Sequence, residues 1–197
     1  TNYLLKLGIE IIIGHSSKNI KNPDFVVYSS AVNMDNIEII TSKNKNIPIV
    51  RRAEMLGELL KLKKISIAVS GTHGKTTTCS MLSSILVEAN LNPTVIIGGI
   101  VNNFGSNTMS GGGDIIVVEA DEFDRSFLSL KSSMSIINNL DLEHTDCYKN
   151  LDEVKEAFII FANSLPSYGI VGICIDDKNI KDIIPKIKRP YRSFGVS

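Results

Sequence analysis

Apolar residues in this chain fall into short runs separated by polar, turn-rich segments. The runs at 9–13, 25–28 and 48–50 are too short for helices and read as strands, with a further short apolar piece at 37–40. Residues 51–63 instead place Ala53, Leu56, Leu59 and Leu60 on one face at helical spacing. A second series begins with a strand at 65–70, followed by a helix at 79–90 that is expected to bury Met81, Leu82, Ile85, Leu86 and Ala89. Strands follow at 94–97, 114–118, 135–137 and 169–175, with a last one at 191–194. The run at 114–118 is continuously apolar, as in a strand buried on both faces. Residues 102–113 are polar and glycine-rich and read as a loop. A helix over 151–164 opens with Asn150 as N-cap and Glu153 three residues on, and presents Leu151, Val154, Phe158 and Phe161. Strands alternating with helices predict an α/β fold built on a parallel sheet.

The chemistry sits where the second series begins. Gly71-Thr72-His73-Gly74-Lys75-Thr76-Thr77-Thr78 lies between the strand at 65–70 and the following helix. A strand, a glycine loop with a lysine, and a helix together form an anion cradle. Backbone N–H groups of the loop and the helix N-terminus point at a polyphosphate, and the helix dipole favours it. In this arrangement Lys75 reaches the terminal phosphates and the Thr76 hydroxyl is placed to touch Mg²⁺. The general phosphate-loop pattern would put its first glycine at position 69, which is Val69, so this is a tighter variant. A chance Gly-Lys-Thr turn is the plain alternative, and the flanking strand and helix argue against it.

Glu119, Asp121 and Glu122 follow the strand at 114–118, and His144 follows the one at 135–137. In an open α/β sheet, ligands lie at the carboxyl ends of the strands, where the glycine loop also lies. Glu119 with Thr76 and ATP oxygens makes a coherent Mg²⁺ site, against the alternative of a solvated acidic turn. On its chemistry alone, His144 is either a surface hydrogen-bonding residue or a ligand beside the carboxylates. No serine sits in a nucleophile-elbow context, and phosphoryl transfer needs none.

Composition narrows the partners. Lys plus Arg and Asp plus Glu each number 21, for a net charge of +0, so there is no electrostatic footprint for nucleic acid or an anionic membrane. Cys79, Cys147 and Cys174 are isolated, with neither metal spacing nor a paired framework, which points to a reducing, cytoplasmic setting. No apolar run approaches a membrane span. The chain opens on Thr1, residues 2–8 read as the second half of a helix ending in glycine, and the last strand lies close to the final residue. Both ends look cut, and a fragment is expected.

Taken in order, the strings 71–78, Glu119-Ala-Asp-Glu-Phe-Asp124 and Asn139 through Tyr148 resemble the Mur ligases. Gly14-His15, 27–31, 52–56 and 98–100 resemble the same family. The resemblance implies a Rossmann-like UDP-sugar-binding domain, of which 1–62 would be the C-terminal part. It also implies a central P-loop-type ATP-binding domain, incomplete over 63–197. A closing third domain would be missing, so the fragment by itself is expected to lack ligase activity. The branch resembled joins L-alanine to UDP-N-acetylmuramate in peptidoglycan synthesis, using ATP and Mg²⁺ and passing through an acyl phosphate. A recycling branch that attaches a murein tripeptide to the same sugar is the alternative, as is an inactive nucleotide-binding remnant. Residues 125–134 leave a short gap before the next strand, which favours the alanine-adding branch. By resemblance, Gly71, Thr72, His73, Gly74, Lys75, Thr76 and Thr77 bind the nucleotide, with Lys75 on its β- and γ-phosphates. Thr76 and Glu119 hold one Mg²⁺, and His144 holds a second near the sugar carboxylate. Lys75, Glu119 and His144 are the catalytic set, while His15 and Ser30 line the UDP-sugar side. Glu143 departs from the family's usual Asp before the histidine.

Overall fold

The computed structural model describes residues 2–101, 106–143 and 145–196. It divides into two compact units, Thr1–Met55 and Leu56–Ser197.

The first unit contains helix α1 (Asn2–Lys6), strand β1 (Val26–Tyr28), helix α2 (Ile37–Asn44) and strand β2 (Ile49–Arg51). Helix α3 (Arg52–Leu60) follows directly, and the division between the units falls within it. β1 and β2 pair in parallel, Val26 opposite Ile49 and Tyr28 opposite Arg51. Two apolar runs depart from expectation here. Residues 9–13 form no strand, and Ile9, Ile12 and Ile13 are exposed. A strand exists only where a neighbour takes its backbone hydrogen bonds, and the sheet of this unit pairs β1 with β2. Residues 37–40 are the first turn of α2, because the Asn36 side chain caps the helix by accepting from the Glu38 N–H at 2.9 Å. The cap overrides the β-branched character of the run. Ile39 and Ser42 then face inward at helical spacing.

The second unit is a sheet in the order β5-β4-β6-β3-β7-β8-β9. Its strands are β3 (Ile65–Ser70), β4 (Thr94–Val101), β5 (Ser106–Met109), β6 (Ile115–Glu119), β7 (Met134–Ile137), β8 (Ile170–Cys174) and β9 (Tyr191–Phe194). All neighbours run parallel except β5, which pairs antiparallel with β4 at the edge. β5 corrects the expected loop at 102–113. An edge strand gains less from apolar side chains, so Ser106-Asn107-Thr108-Met109 carries no hydrophobic signature. Residues 102–105 of that loop lie outside the described residues.

Helix α4 (Lys75–Glu88) follows β3 and begins four residues earlier than the apolar pattern predicts. Its inward residues are Cys79, Ser83 and Leu86. Met81 and Ile85, expected in the core, are 56% and 66% exposed, and Ala89 is the exposed C-cap. The glycine loop fixes where the helix starts and so fixes its phase. Helix α5 (Leu151–Asn163) behaves as expected, with the Asn150 side chain accepting from the Glu153 N–H at 3.0 Å. Val154, Phe158 and Phe161 are buried, and both phenyl rings pack on Phe127 at centroid distances of 5.1 and 4.9 Å. Helix α6 (Lys178–Ile183), capped by Asp177, precedes β9 and was not legible in the apolar pattern. Among the described residues no helix is long and apolar enough to cross a membrane.

Phe158→Ala is expected to cost about 3–5 kcal/mol, because it opens a cavity in the aromatic cluster. Met81→Ala should change stability by no more than about 0.5 kcal/mol. Urea unfolding of the two variants checks both values.

Candidate active site

β3 is paired on both sides, Val69 opposite Glu119 on β6 and Ser70 opposite Ile137 on β7. The carboxyl ends of these three strands therefore open onto one crevice. Gly71 leaves β3 with φ of +133°, and a Cβ there would lie 3.0 Å from Asn138 Cβ and 3.1 Å from the Asn139 nitrogen. Only glycine fits that turn and that approach. Gly74 is left-handed at φ of +76° and stands at the N-cap of α4, so Lys75 becomes the first helical residue.

The segment after β7 clamps the loop. The Asn139 side chain accepts from the His73 N–H at 2.7 Å and donates to the His73 carbonyl at 3.1 Å. The Thr72 N–H donates to the Asn139 carbonyl at 3.2 Å, and the Asp141 N–H donates to the Thr72 hydroxyl at 2.8 Å. Asn138 Nδ2 donates to the Thr78 hydroxyl at 3.0 Å. At the exposed tip, His73 Nε2 lies 3.5 Å from Glu143 Oε1. The loop is thus held in shape by the segment after β7.

The acidic residues divide between two partners. The Thr76 hydroxyl lies 3.0 Å from each Glu119 oxygen, and the Gly98 N–H of β4 donates to Glu119 Oε2 at 2.8 Å. A Cβ on Gly99 would meet Thr76 Cγ2 at 3.2 Å, tighter than an ordinary contact, so β4 passes close to the start of α4 here. Lys75 Nζ lies 2.7 Å from Glu122 Oε2 and 3.6 Å from Asp121 Oδ1. Among the described residues no group of three or more His, Cys, Asp or Glu side chains converges on a metal position. The hydroxyl of Thr76 beside the carboxylate of Glu119 is nonetheless a pair of hard oxygen donors. Mg²⁺ takes few protein ligands of this kind and completes its shell with phosphate oxygens and water. The residues fit that ion. His144 lies outside the described residues. Cys79 is buried on the inner face of α4, where burial first and the Glu119 charge second push its thiol up, keeping it an inert core residue.

Profiles of two domains match the chain, one described as the Mur ligase middle domain over residues 69–197 and one as the Mur ligase family catalytic domain over residues 1–64. The chain belongs to the Mur ligase family. The UDP-N-acetylmuramate–L-alanine ligase of Persephonella marina is 52% identical over 194 residues, an alignment covering 98% of this chain and 42% of that protein. The chain thus spans well under half the length of that curated relative. The solved structure of the UDP-N-acetylmuramate–alanine ligase of Thermotoga maritima superposes with a TM-score of 0.84 at 32% identity, covering 100% of this chain and 44% of the other. That of a UDP-N-acetylmuramate:L-alanyl-γ-D-glutamyl-meso-diaminopimelate ligase from Neisseria meningitides gives 0.85 at 25% identity, covering 98% and 66%.

In this Mur ligase chain the glycine loop, Lys75, Thr76 and Glu119 come together in one crevice. His15 and Ser30 belong to the first unit. His15 is exposed, and its Nδ1 lies 2.6 Å from Glu38 Oε2. That hydrogen bond, with a further one from Asn19, holds the Glu38 carboxyl below its ordinary value against the opposing effect of burial. Ser30 is exposed in the turn after β1. Sequence reasoning missed the clamp of Asn138 and Asn139, the close passage of β4 at Gly99, and the Lys75–Glu122 pair. All are contacts between segments far apart in the chain, and only the glycine pair Gly98-Gly99 left a visible trace.

Tyr148 braces the acidic turn, its hydroxyl donating to the Glu122 carbonyl at 2.8 Å. Burial pushes this hydroxyl up to about 12, opposed by Arg125 and assisted by the charge of Glu122. The folded chain keeps the proton where the unfolded chain has lost it, so this contribution to stability is intact below about pH 10 and is lost as pH rises toward about 12. Tyr148→Phe is expected to cost about 1 kcal/mol at neutral pH, to flatten that alkaline loss and to remove the late component from a spectrophotometric tyrosine titration.

Proposed function

We propose that this chain is part of an ATP-dependent carboxylate–amine ligase that joins L-alanine to UDP-N-acetylmuramate. The observation that carries the reading is the convergence of Lys75, Thr76 and Glu119 at the carboxyl edge of β3 and β6, beside a loop whose glycines leave its backbone open to an anion. Residues 63–197 form the ATP-binding part, with Gly71, Thr72, His73, Gly74, Lys75, Thr76 and Thr77 around the phosphates. Residues 1–62 form the rear of a UDP-sugar-binding domain, with His15 and Ser30 on the sugar side. Ser30 follows the carboxyl end of β1, where ligands of parallel sheets lie. His144 is assigned to the sugar carboxylate side by family likeness. The reaction belongs to the cytoplasm, where ATP and the nucleotide sugar are available.

A carboxylate is a poor acyl donor because its leaving group would be oxide. In the first step an oxygen of the muramoyl carboxylate attacks the γ-phosphorus and the bond to ADP breaks. In the second the alanine amine attacks the carbonyl of the acyl phosphate, phosphate departs, and the nitrogen loses a proton. Two anions meet in the first step, so positive charge must be in place beforehand. Lys75 supplies one such charge, and the loop N–H groups supply partial ones. Thr76 and Glu119 would hold a Mg²⁺, which would add to the neutralisation of the phosphates. The clamp from Asn139 holds the loop so that none of this has to reorganise during the reaction.

The solved structures of the alanine and tripeptide ligases superpose almost equally well, so fold does not separate these two branches. The 52% identity to an alanine ligase favours the first. Phosphate release by a full-length enzyme bearing this sequence, given MgATP and UDP-N-acetylmuramate, is expected with L-alanine and not with murein tripeptide alone. Release with tripeptide only would move the assignment to the other branch. In the same assay Lys75→Ala is expected to lower turnover about 100-fold or more. Glu119→Gln should raise the Mg²⁺ concentration needed for half-maximal rate at least about tenfold. A Lys75→Ala enzyme of near-normal turnover would refute the phosphate site.

A further inference from the structure

Glu122 has no place in the chemistry derived above, yet it is more deeply buried than any acid that does. Its side chain is 3% exposed and that of its partner Lys75 is 11% exposed. Removing two charges from water is costly, and such a pair persists only where its geometry is good. The turn that delivers Glu122 is itself costly. Immediately after it, Asp124 and Arg125 are both left-handed at φ of +53° and +60°, a conformation that side-chain-bearing residues rarely adopt. Contacts from outside and within the turn hold it in place. The Tyr148 hydroxyl donates to the Glu122 carbonyl, the Arg125 guanidinium sits 5.1 Å from the Tyr148 ring centre, and the N–H of fully buried Phe127 donates to the Asp121 carbonyl at 3.2 Å. A strained, braced turn that ends in a buried carboxylate against the loop lysine calls for a functional account.

We propose that Glu122 is a positioning residue for Lys75, holding its ammonium aimed into the phosphate loop before the nucleotide arrives. The inference rests on the reading of the loop as a nucleotide site. A lysine ammonium has three N–H donors on a flexible stem and costs much rotamer entropy to immobilise. Here Nζ donates to Glu122 Oε2 at 2.7 Å and to the Thr72 carbonyl at 3.4 Å. These two bonds fix the head, and the third N–H is left for a phosphate oxygen. The ordering cost of Lys75 is thereby met in the folding of the chain rather than at the moment of binding. Asp121, 58% exposed and 3.6 Å away, is a weaker flanking charge that solvent screens. In this role Glu122 acts through Lys75, the group its carboxylate holds.

The test is a double-mutant cycle in a full-length enzyme bearing this sequence, with Glu122→Gln, Lys75→Met and the pair. Two quantities are read, the melting temperature without ligand and the ratio of MgATP to MgADP affinity by calorimetry. Glu122→Gln alone is expected to lower the ATP-over-ADP preference about tenfold. In the Lys75→Met background the same change should alter it less than twofold. Lys75→Met alone should lower the melting temperature by removing the cation beside a buried carboxylate, and adding Glu122→Gln should restore much of the loss. In a full-length enzyme, Glu122→Gln is expected to lower kcat for phosphate release at least tenfold and to raise KM for ATP up to about tenfold, while KM for L-alanine moves less than threefold. Equal fold-losses in both lysine backgrounds, or a kcat unchanged by Glu122→Gln, would overturn the role of Glu122 and leave the nucleotide site standing. Failure of the unsubstituted full-length enzyme to bind MgATP would overturn both readings.

Discussion

Everything at the candidate site depends on the pairing of β3 between β6 and β7. Because Val69 faces Glu119 across one ladder and Ser70 faces Ile137 across the other, three strands end at nearly the same height. The glycine loop, the acidic turn and the asparagine clamp are then forced into one crevice. A slip of one residue in either pairing would reverse every side chain of that strand and carry Glu119 or Asn139 out of reach of the loop. The aromatic cluster of Phe127, Phe158 and Phe161 lies in the same core and anchors the acidic turn from below.

The site manages charge by assigning each acid a separate task. Glu119 is tied to a neutral hydroxyl and a backbone N–H, an arrangement suited to a hard cation. Glu122 is tied to an ammonium and buried, and so balances a charge rather than offering one. Two carboxylates three residues apart thus differ in role because one ends a strand and the other begins a strained turn. Lys75 stands between them and the loop, at the N-terminus of α4, where α4's own dipole also favours an anion.

A good part of this was legible without coordinates. The glycine loop, the buried strand at 114–118 and the capped helix from Asn150 declare themselves through local rules that tertiary structure did not override. The errors are equally instructive. Residues 37–40 read as a strand-like piece because isoleucines dominate, yet Asn36 caps them into a helix. Met81 and Ile85 read as core because they are apolar, yet the phase set at Gly74 turns them outward and Cys79 inward. β5 was invisible because an edge strand needs little hydrophobic signal.

The sequence by itself determined the family, the alternation of strands and helices, and the residues able to hold a polyphosphate and a hard cation. These are properties of short segments, where backbone freedom, capping and side-chain chemistry act over a few neighbours. Tertiary structure alone decided that Glu122 rather than solvent holds Lys75, that Asn139 rather than the loop itself fixes His73, and that β4 passes close to Thr76 at Gly99. Each of those contacts joins segments more than twenty residues apart. Which partner wins there is settled by sheet order and register, which no local pattern encodes.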